Sequence, residues 1–330
     1  MKIKKTHFYF GIVVIAVLLA AALFYFNPFS QSRKEAGSTA QENSIINAND
    51  DGWSVDAKGY LSYPPNRGDV NFRRDNYSET DKLHISKVIY QSSRGNVYGL
   101  LVIPKVSLGG ALPGVVLLPG AGVSKESELY LAEKISEIGV VVLTIDQRGV
   151  GQSDSKPNSI DQDYHDFANG AEPYQHLMVY DALRAYDLLS GASFVDKSRI
   201  IIAGESLGGR IAVISTAIEP SISGVLVISS SGFPFSGGND TLKNRFVNSI
   251  NSDHYIAEIT PRRIVMIHGI NDTVIPIDSA VSSFMKAQEP KKFVVINDTS
   301  CHHGYCESMK DALEASMEYL LGVKSKNWIP

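Results

Sequence analysis

From about residue 110 onward the chain alternates short, uninterrupted apolar runs with longer stretches of mixed polarity. The runs are residues 114–118, 140–145, 200–203, 225–228, 264–267 and 293–296, rich in Val and Ile and without polar interruption. A strand that is apolar at every position must be covered on both faces, as happens in a parallel sheet sandwiched by helices. Residues 128–138, 175–189, 208–218 and 308–321 lie between or after these runs and read as helices. Strand followed by helix, repeated, predicts an α/β protein with a doubly wound, mostly parallel sheet and right-handed crossovers. Ahead of it, residues 87–91 and 97–103 flank the turn-forming sequence Ser92-Ser93-Arg94-Gly95-Asn96, which predicts an antiparallel N-terminal hairpin. Tyr60, Tyr63, Phe72 and Tyr77, set among Pro64-Pro65 and charges, predict a segment strapped onto the domain surface.

The N-terminus follows a different rule. Residues 8–26 carry no charge, and as a helix they would extend about 28 Å, close to the roughly 30 Å hydrocarbon thickness of a bilayer. This favours a transmembrane helix acting as a signal-anchor over a shorter secretory core. The competing reading is cleavage at Ala20-Ala21-Ala22, which would release a secreted protein. Lys2, Lys4 and Lys5 outweigh Arg33 and Lys34, so the N-terminal flank is expected to stay cytoplasmic and the remainder to lie outside the cytoplasm. Residues 31–52 are too polar to bury a core and read as a tether. The expected organisation is a membrane anchor at 1–29, a polar linker at 30–58 and one catalytic-sized domain at 59–330. The net charge of −4 and the scattered Lys and Arg residues exclude nucleic acid as a partner. Two cysteines are too few for a disulfide scaffold. Oligomeric state is not readable from the sequence.

Candidate chemistry clusters at the ends of the apolar runs, where doubly wound sheets carry their sites. After residues 200–203 stands Gly204-Glu205-Ser206-Leu207-Gly208-Gly209, a G-x-S-x-G pattern between a strand and a helix. Such a turn projects the serine hydroxyl above the sheet, and the Leu207 N–H at the helix start faces the place where an oxyanion would form. A serine nucleophile needs a base, and the base an orienting acid. Residues 264–267 end in a loop carrying Asp272. Residues 293–296 end in a loop carrying Asp298, His302 and His303.

Together these segments resemble the signature sites of the α/β-hydrolase superfamily, over roughly residues 82–323. Leu118-Pro119-Gly120-Ala121-Gly122 is similar to the family's oxyanion loop, with Pro119 where histidine is frequent, and residues 146–153 resemble its D-x-R-G-x-G-x-S segment. Within the superfamily the chain looks closest to prolyl-oligopeptidase-like and acyl-transferring hydrolases, without a propeller. The resemblance implies a Ser206–His303–Asp272 triad, with Leu207 and Ala121 supplying the oxyanion hole. His303 is preferred to His302 because it precedes Gly304, and Asp272 to Asp298 because Asp298 shares a connection with the base. His268 is expected to pack rather than react, and His84, His165, His176 and His254 are expected to be structural.

Cys301, His302, His303 and Cys306 are too crowded to reach the vertices of a zinc tetrahedron, so no metal is expected. In an oxidising compartment Cys301 and Cys306 would bridge each other. The connections at 155–174 and 232–259 are long enough to be lids. The implied activity is that of a serine hydrolase, carboxylesterase-like, cleaving an ester or related acyl bond without a cofactor. Its substrate would be a small acyl compound or a short peptide. The alternatives are a serine peptidase or acyltransferase on the same triad, or a catalytically silent binding protein.

Overall fold

The structure, a computed structural model, describes residues 46–47, 52–105, 110–153, 157–234 and 238–323. The expected membrane anchor at 1–29 and most of the linker at 30–58 lie outside the described residues. Among the described residues no helix is long and apolar enough to cross a membrane.

Among the described residues, three short strands, β1 (Ile46–Asn47), β2 (Ser54–Val55) and β3 (Leu61–Ser62), form a small sheet, and nine form a larger one, in chain order β4 (Phe72–Glu79), β5 (Leu83–Ser92), β6 (Gly95–Pro104), β7 (Leu112–Leu118), β8 (Val141–Ile145), β9 (Val195–Glu205), β10 (Gly224–Ile228), β11 (Arg263–Gly269) and β12 (Lys291–Ile296). Their spatial order is β12-β11-β10-β9-β7-β8-β6-β5-β4. The six expected apolar runs form the parallel part, from β12 to β8. The hairpin β5–β6 joins it antiparallel to β8. Beyond the hairpin, β4 is an edge strand exposed at every residue. Phe72 and Tyr77 therefore belong to the sheet, not to a strap, because Phe72–Glu79 finds a hydrogen-bonding partner in β5.

The uniform apolarity of the strands has a direct packing reason. Along β7, Val116 and Leu118 enter one apolar layer while Val115 and Leu117 enter the other. Along β9, Ile200 and Ile202 face the first layer, Ile201 and Ala203 the second. The second layer is closed by α1 (Leu129–Ser136) and by α6 (Lys310–Leu321), through Leu131, Ile135, Leu313 and Met317. The first is closed by α3 (Tyr174–Ser190) and α4 (Leu207–Ile218), through Val179, Leu183, Ile211 and Ile214.

Two expectations change. Trp53 and Val55, placed in the linker by composition, are 2% and 0% exposed, and short strands at Ser54–Val55 and Leu61–Ser62 pair antiparallel. A polar neighbourhood concealed two core residues. The long connections expected to be lids are also largely folded. The first contains α2 (Ile160–Ala168), the second α5 (Thr241–Ile250), and Phe167 and Phe246 pack ring to ring at 5.6 Å, both fully buried. Trp53 meets Phe167 at 6.3 Å. The acidic character of the first connection is partly structural, since buried Asp163 accepts the Tyr174 and Gln175 N–H groups that open α3.

Candidate active site

β9 runs into α4 through Ser206, whose φ of 50° and ψ of −116° lie outside the regions favoured by L-residues. The surroundings impose that strain. A Cβ on Gly204 would lie 2.4 Å from the Gly208 carbonyl carbon, and one on Gly208 would lie 2.0 Å from the Leu118 oxygen. Strand, helix and the loop after β7 thus converge so closely that only glycine fits at either position. The Ser206 backbone is held by its N–H to Ile228 O at 3.0 Å and by Ser230 Oγ donating to Ser206 O at 2.6 Å.

The loop after β7 passes beside the serine, and a Cβ on Gly120 would lie 3.6 Å from Ser206 Cβ. This brings Ala121 and the start of α4 to one place. The loop is anchored from beneath by Lys125 and Asp146, a buried ion pair at 2.7 Å whose side chains are 1% and 0% exposed. Asp146 also accepts the Lys125 and Gln152 N–H groups, and the Gln147 side chain donates to Pro119 O. Arg148 grips buried Asp181 through two bonds of 2.8 Å. The D-x-R-G segment is therefore scaffolding for the loop after β7.

Asp272 and His303 arrive from the loops after β11 and β12. His303 Nδ1 lies 3.0 Å from both carboxylate oxygens of Asp272, and the Val274 and Ile275 N–H groups donate to Oδ1 at 2.9 and 2.8 Å. Burial pushes the Asp272 carboxyl up, but the His303 hydrogen bond and charge and the two N–H donors outweigh it and hold the group below its usual range. An ionised, acceptor-only Asp272 requires Nδ1 to carry the hydrogen, which leaves Nε2 as the basic nitrogen.

Among the rivals, His268 stands near this pair, its Nε2 3.6 Å from Asp272 Oδ2, but it is engaged by another partner. Asp298 accepts from Ser300 and Ser308, which hold it down to about 2. His302 is exposed. His268 is buried against Ile275 O at 2.8 Å, and burial lowers its affinity for a proton.

Cys301 and Cys306 are bridged, with Cα atoms 5.7 Å apart, and close the loop around His303. The same loop is tied by Thr273 N–H to His302 O at 2.8 Å, by Ser229 Oγ to Gly304 O at 3.4 Å and by Tyr305 N–H to Glu205 Oε1 at 2.6 Å. Among the described residues no group of three or more His, Cys, Asp or Glu side chains is arranged to hold a metal ion. Glu128, Glu205, Ser229 and Tyr305 escaped sequence reasoning. Only Glu205, inside the G-x-S-x-G pattern, stood where a signal could have been sought.

A mixed, mostly parallel sheet covered by helices on both faces, with a strained serine turn above its centre, defines an α/β-hydrolase. Residues 64–235 match the family Acetyl xylan esterase (AXE1). The chain belongs to that family and is an ester-cleaving hydrolase. The Mycobacterium tuberculosis protein Rv2307c, itself uncharacterized, is 28% identical over 218 residues, 63% of this chain and 69% of its own. Among solved structures, an acetyl xylan esterase from Paenibacillus sp. R4 superposes with a TM-score of 0.63 at 18% identity, over 78% of this chain and 91% of its own. Acetyl xylan esterase 1 from Thermoanaerobacterium sp. JW/SL YS485 gives 0.59 at 17% identity, over 77% and 88%. At these identities the structural likeness speaks to the fold.

Proposed function

We propose that the protein is a serine esterase that removes small acyl groups, acetyl foremost, from hydroxyls of a carbohydrate. The observation that carries the mechanism is the buried Asp272 carboxylate on His303 Nδ1, two loops away from a strained serine in a G-x-S-x-G turn. In this reading Ser206 Oγ attacks the ester carbonyl while His303 Nε2 takes the hydroxyl proton. The Leu207 and Ala121 N–H groups hold the oxyanion. His303 then returns the proton to the leaving alcohol, and water releases the acid by the same steps in reverse. Asp272 fixes the tautomer and stabilises the imidazolium. The acyl preference rests on the activity for which the family is named.

Residues 1–29 would anchor the chain with the 59–330 domain outside the cytoplasm. The Cys301–Cys306 bridge suits that oxidising side. The helical segments of 155–174 and 232–259 would then shape the rim facing the substrate.

The purified protein should hydrolyse p-nitrophenyl acetate and acetylated xylo-oligosaccharides well above longer-chain esters and peptidyl amides. Ser206→Ala should lose about 10⁴-fold or more in kcat, together with labelling by a fluorophosphonate. An active alanine variant would refute the nucleophile, and a preference for amides would refute the substrate class.

A further inference from the structure

Glu205 stands between Gly204 and the nucleophile at the end of β9, and its carboxylate reaches under the loop that carries the base. Oε1 accepts the Tyr305 N–H at 2.6 Å. Gly304 adopts φ +71°, and a Cβ there would lie 3.3 Å from Glu205 Oε2. The backbone immediately after His303 is therefore seated on this carboxylate. A second carboxyl group faces it from the turn before α1. Glu128 is 3% exposed, and its Oε1 has no hydrogen-bond partner among the described residues.

Two buried carboxyl groups close enough to feel each other's charge do not both ionise readily. Burial and the negative charge of Glu205 push the Glu128 carboxyl well above the usual carboxylate range. Burial also raises Glu205, but the Tyr305 N–H and the nearby His303 counter it. Of the two, Glu205 is the carboxyl whose charged form is supported, by the Tyr305 N–H and by His303, while Glu128 Oε1 has no such donor. His303 and the Tyr305 hydroxyl on the base loop face the Glu205 carboxylate; Asp272 and His268 act in turn on His303, and Tyr130, Glu307 and Glu314 on Tyr305.

We propose that Glu205 is a positioning residue for the base: its carboxylate clamps the His303 loop through Tyr305 N–H and, beside Asp272, supplies a second negative charge to the imidazolium formed during acylation. The proposal rests on the Ser206–His303–Asp272 reading. When the Ser206 hydroxyl proton passes to Nε2, the ring becomes cationic while the oxyanion forms. A fixed anion beneath the loop that carries the base stabilises the cationic ring without itself exchanging a proton. Glu128, pushed toward its neutral form by burial and by Glu205, adds no comparable charge.

The test is the pH profile of p-nitrophenyl acetate hydrolysis by the full chain, in wild type and in Glu205→Gln and Glu128→Gln variants. Glutamine at 205 keeps an acceptor for Tyr305 N–H and removes the charge. It should lower kcat about tenfold with KM within about twofold, and move the acid limb of kcat/KM about half to one unit to lower pH. The sign follows because a lost anion makes the ring harder to protonate. Glutamine at 128 imitates the neutral acid and should lower kcat no more than about threefold, with the acid limb unmoved.

An acid limb that stays in place in Glu205→Gln would reduce Glu205 to a structural acceptor and overturn the proposal. A limb displaced equally by Glu128→Gln would overturn the assignment of the charge. Should Glu205→Gln not fold, Glu205→Asp keeps the charge but falls short of Tyr305 N–H. It should lower kcat and leave the limb in place, and a displaced limb there would equally refute the idea. Turnover by Ser206→Ala would mark failure of the triad instead.

Discussion

His176 offers a quantitative check on the packing between the N-terminal segment and the body of the domain. The ring is fully buried in α3, 5.4 Å from Trp53 and 6.2 Å from Phe167 by centroid. Nε2 lies 2.7 Å from Ser249 Oγ, whose own hydrogen goes to Phe246 O at 2.7 Å. Nε2 must therefore carry the hydrogen, and Nδ1 has no partner among the described residues. Protonating Nδ1 would bury a cation with an unmatched donor, and burial pushes the group down to about 3. In the unfolded chain the same imidazole takes up a proton near pH 6.5. Between those limits unfolding binds a proton, so stability is lost as pH falls below about 6.5. The rate is about 1.4 kcal/mol per unit, or about 2 kcal/mol from pH 7 to pH 5. Glu128, Glu205 and Asp163, all raised by burial, act in the opposite sense, so the variant difference is the informative quantity. His176→Gln keeps a donor toward Ser249 and does not titrate. It should cost about 1–3 kcal/mol at pH 7 through lost ring packing. At pH 5 that deficit should shrink by about 2 kcal/mol. Urea unfolding of both proteins at the two pH values measures it. Equal deficits at pH 7 and pH 5 would show that His176 is not held neutral, and would refute the reasoning.

Replacing both Cys301 and Cys306 by Ser should lower kcat several-fold and shift the Tm only slightly, because the ring they close is short and its closure entropy small, while it borders the base on both sides; an unchanged kcat would show that the hydrogen bonds of the loop suffice. Protease added to intact cells should digest the catalytic domain, and digestion only after lysis would refute its placement outside the cytoplasm.

The parallel core was legible in the sequence because burial on both faces leaves a one-dimensional trace. Val115, Val116, Leu117 and Leu118 are apolar in succession whichever layer each one enters. The G-x-S-x-G turn was legible for a similar reason, since the glycines at 204 and 208 answer to backbone so near that an added Cβ would lie 2.4 and 2.0 Å from it. Pairing along the exposed edge left no such trace. The β4 residues Phe72–Glu79 form a strand because β5 offers free hydrogen-bonding groups, and nothing in their polarity requires it. Trp53 was equally hidden, since its ring partners Phe167 and His176 lie more than a hundred residues away. The meeting of Asp272 with His303, and of Glu205 with Tyr305 and Glu128, belongs to the tertiary structure alone. Spacing along the chain orders candidate residues, but only the packing of three loops at one end of the sheet sets the distances and the burial that decide which carboxyl carries a charge and which nitrogen remains basic.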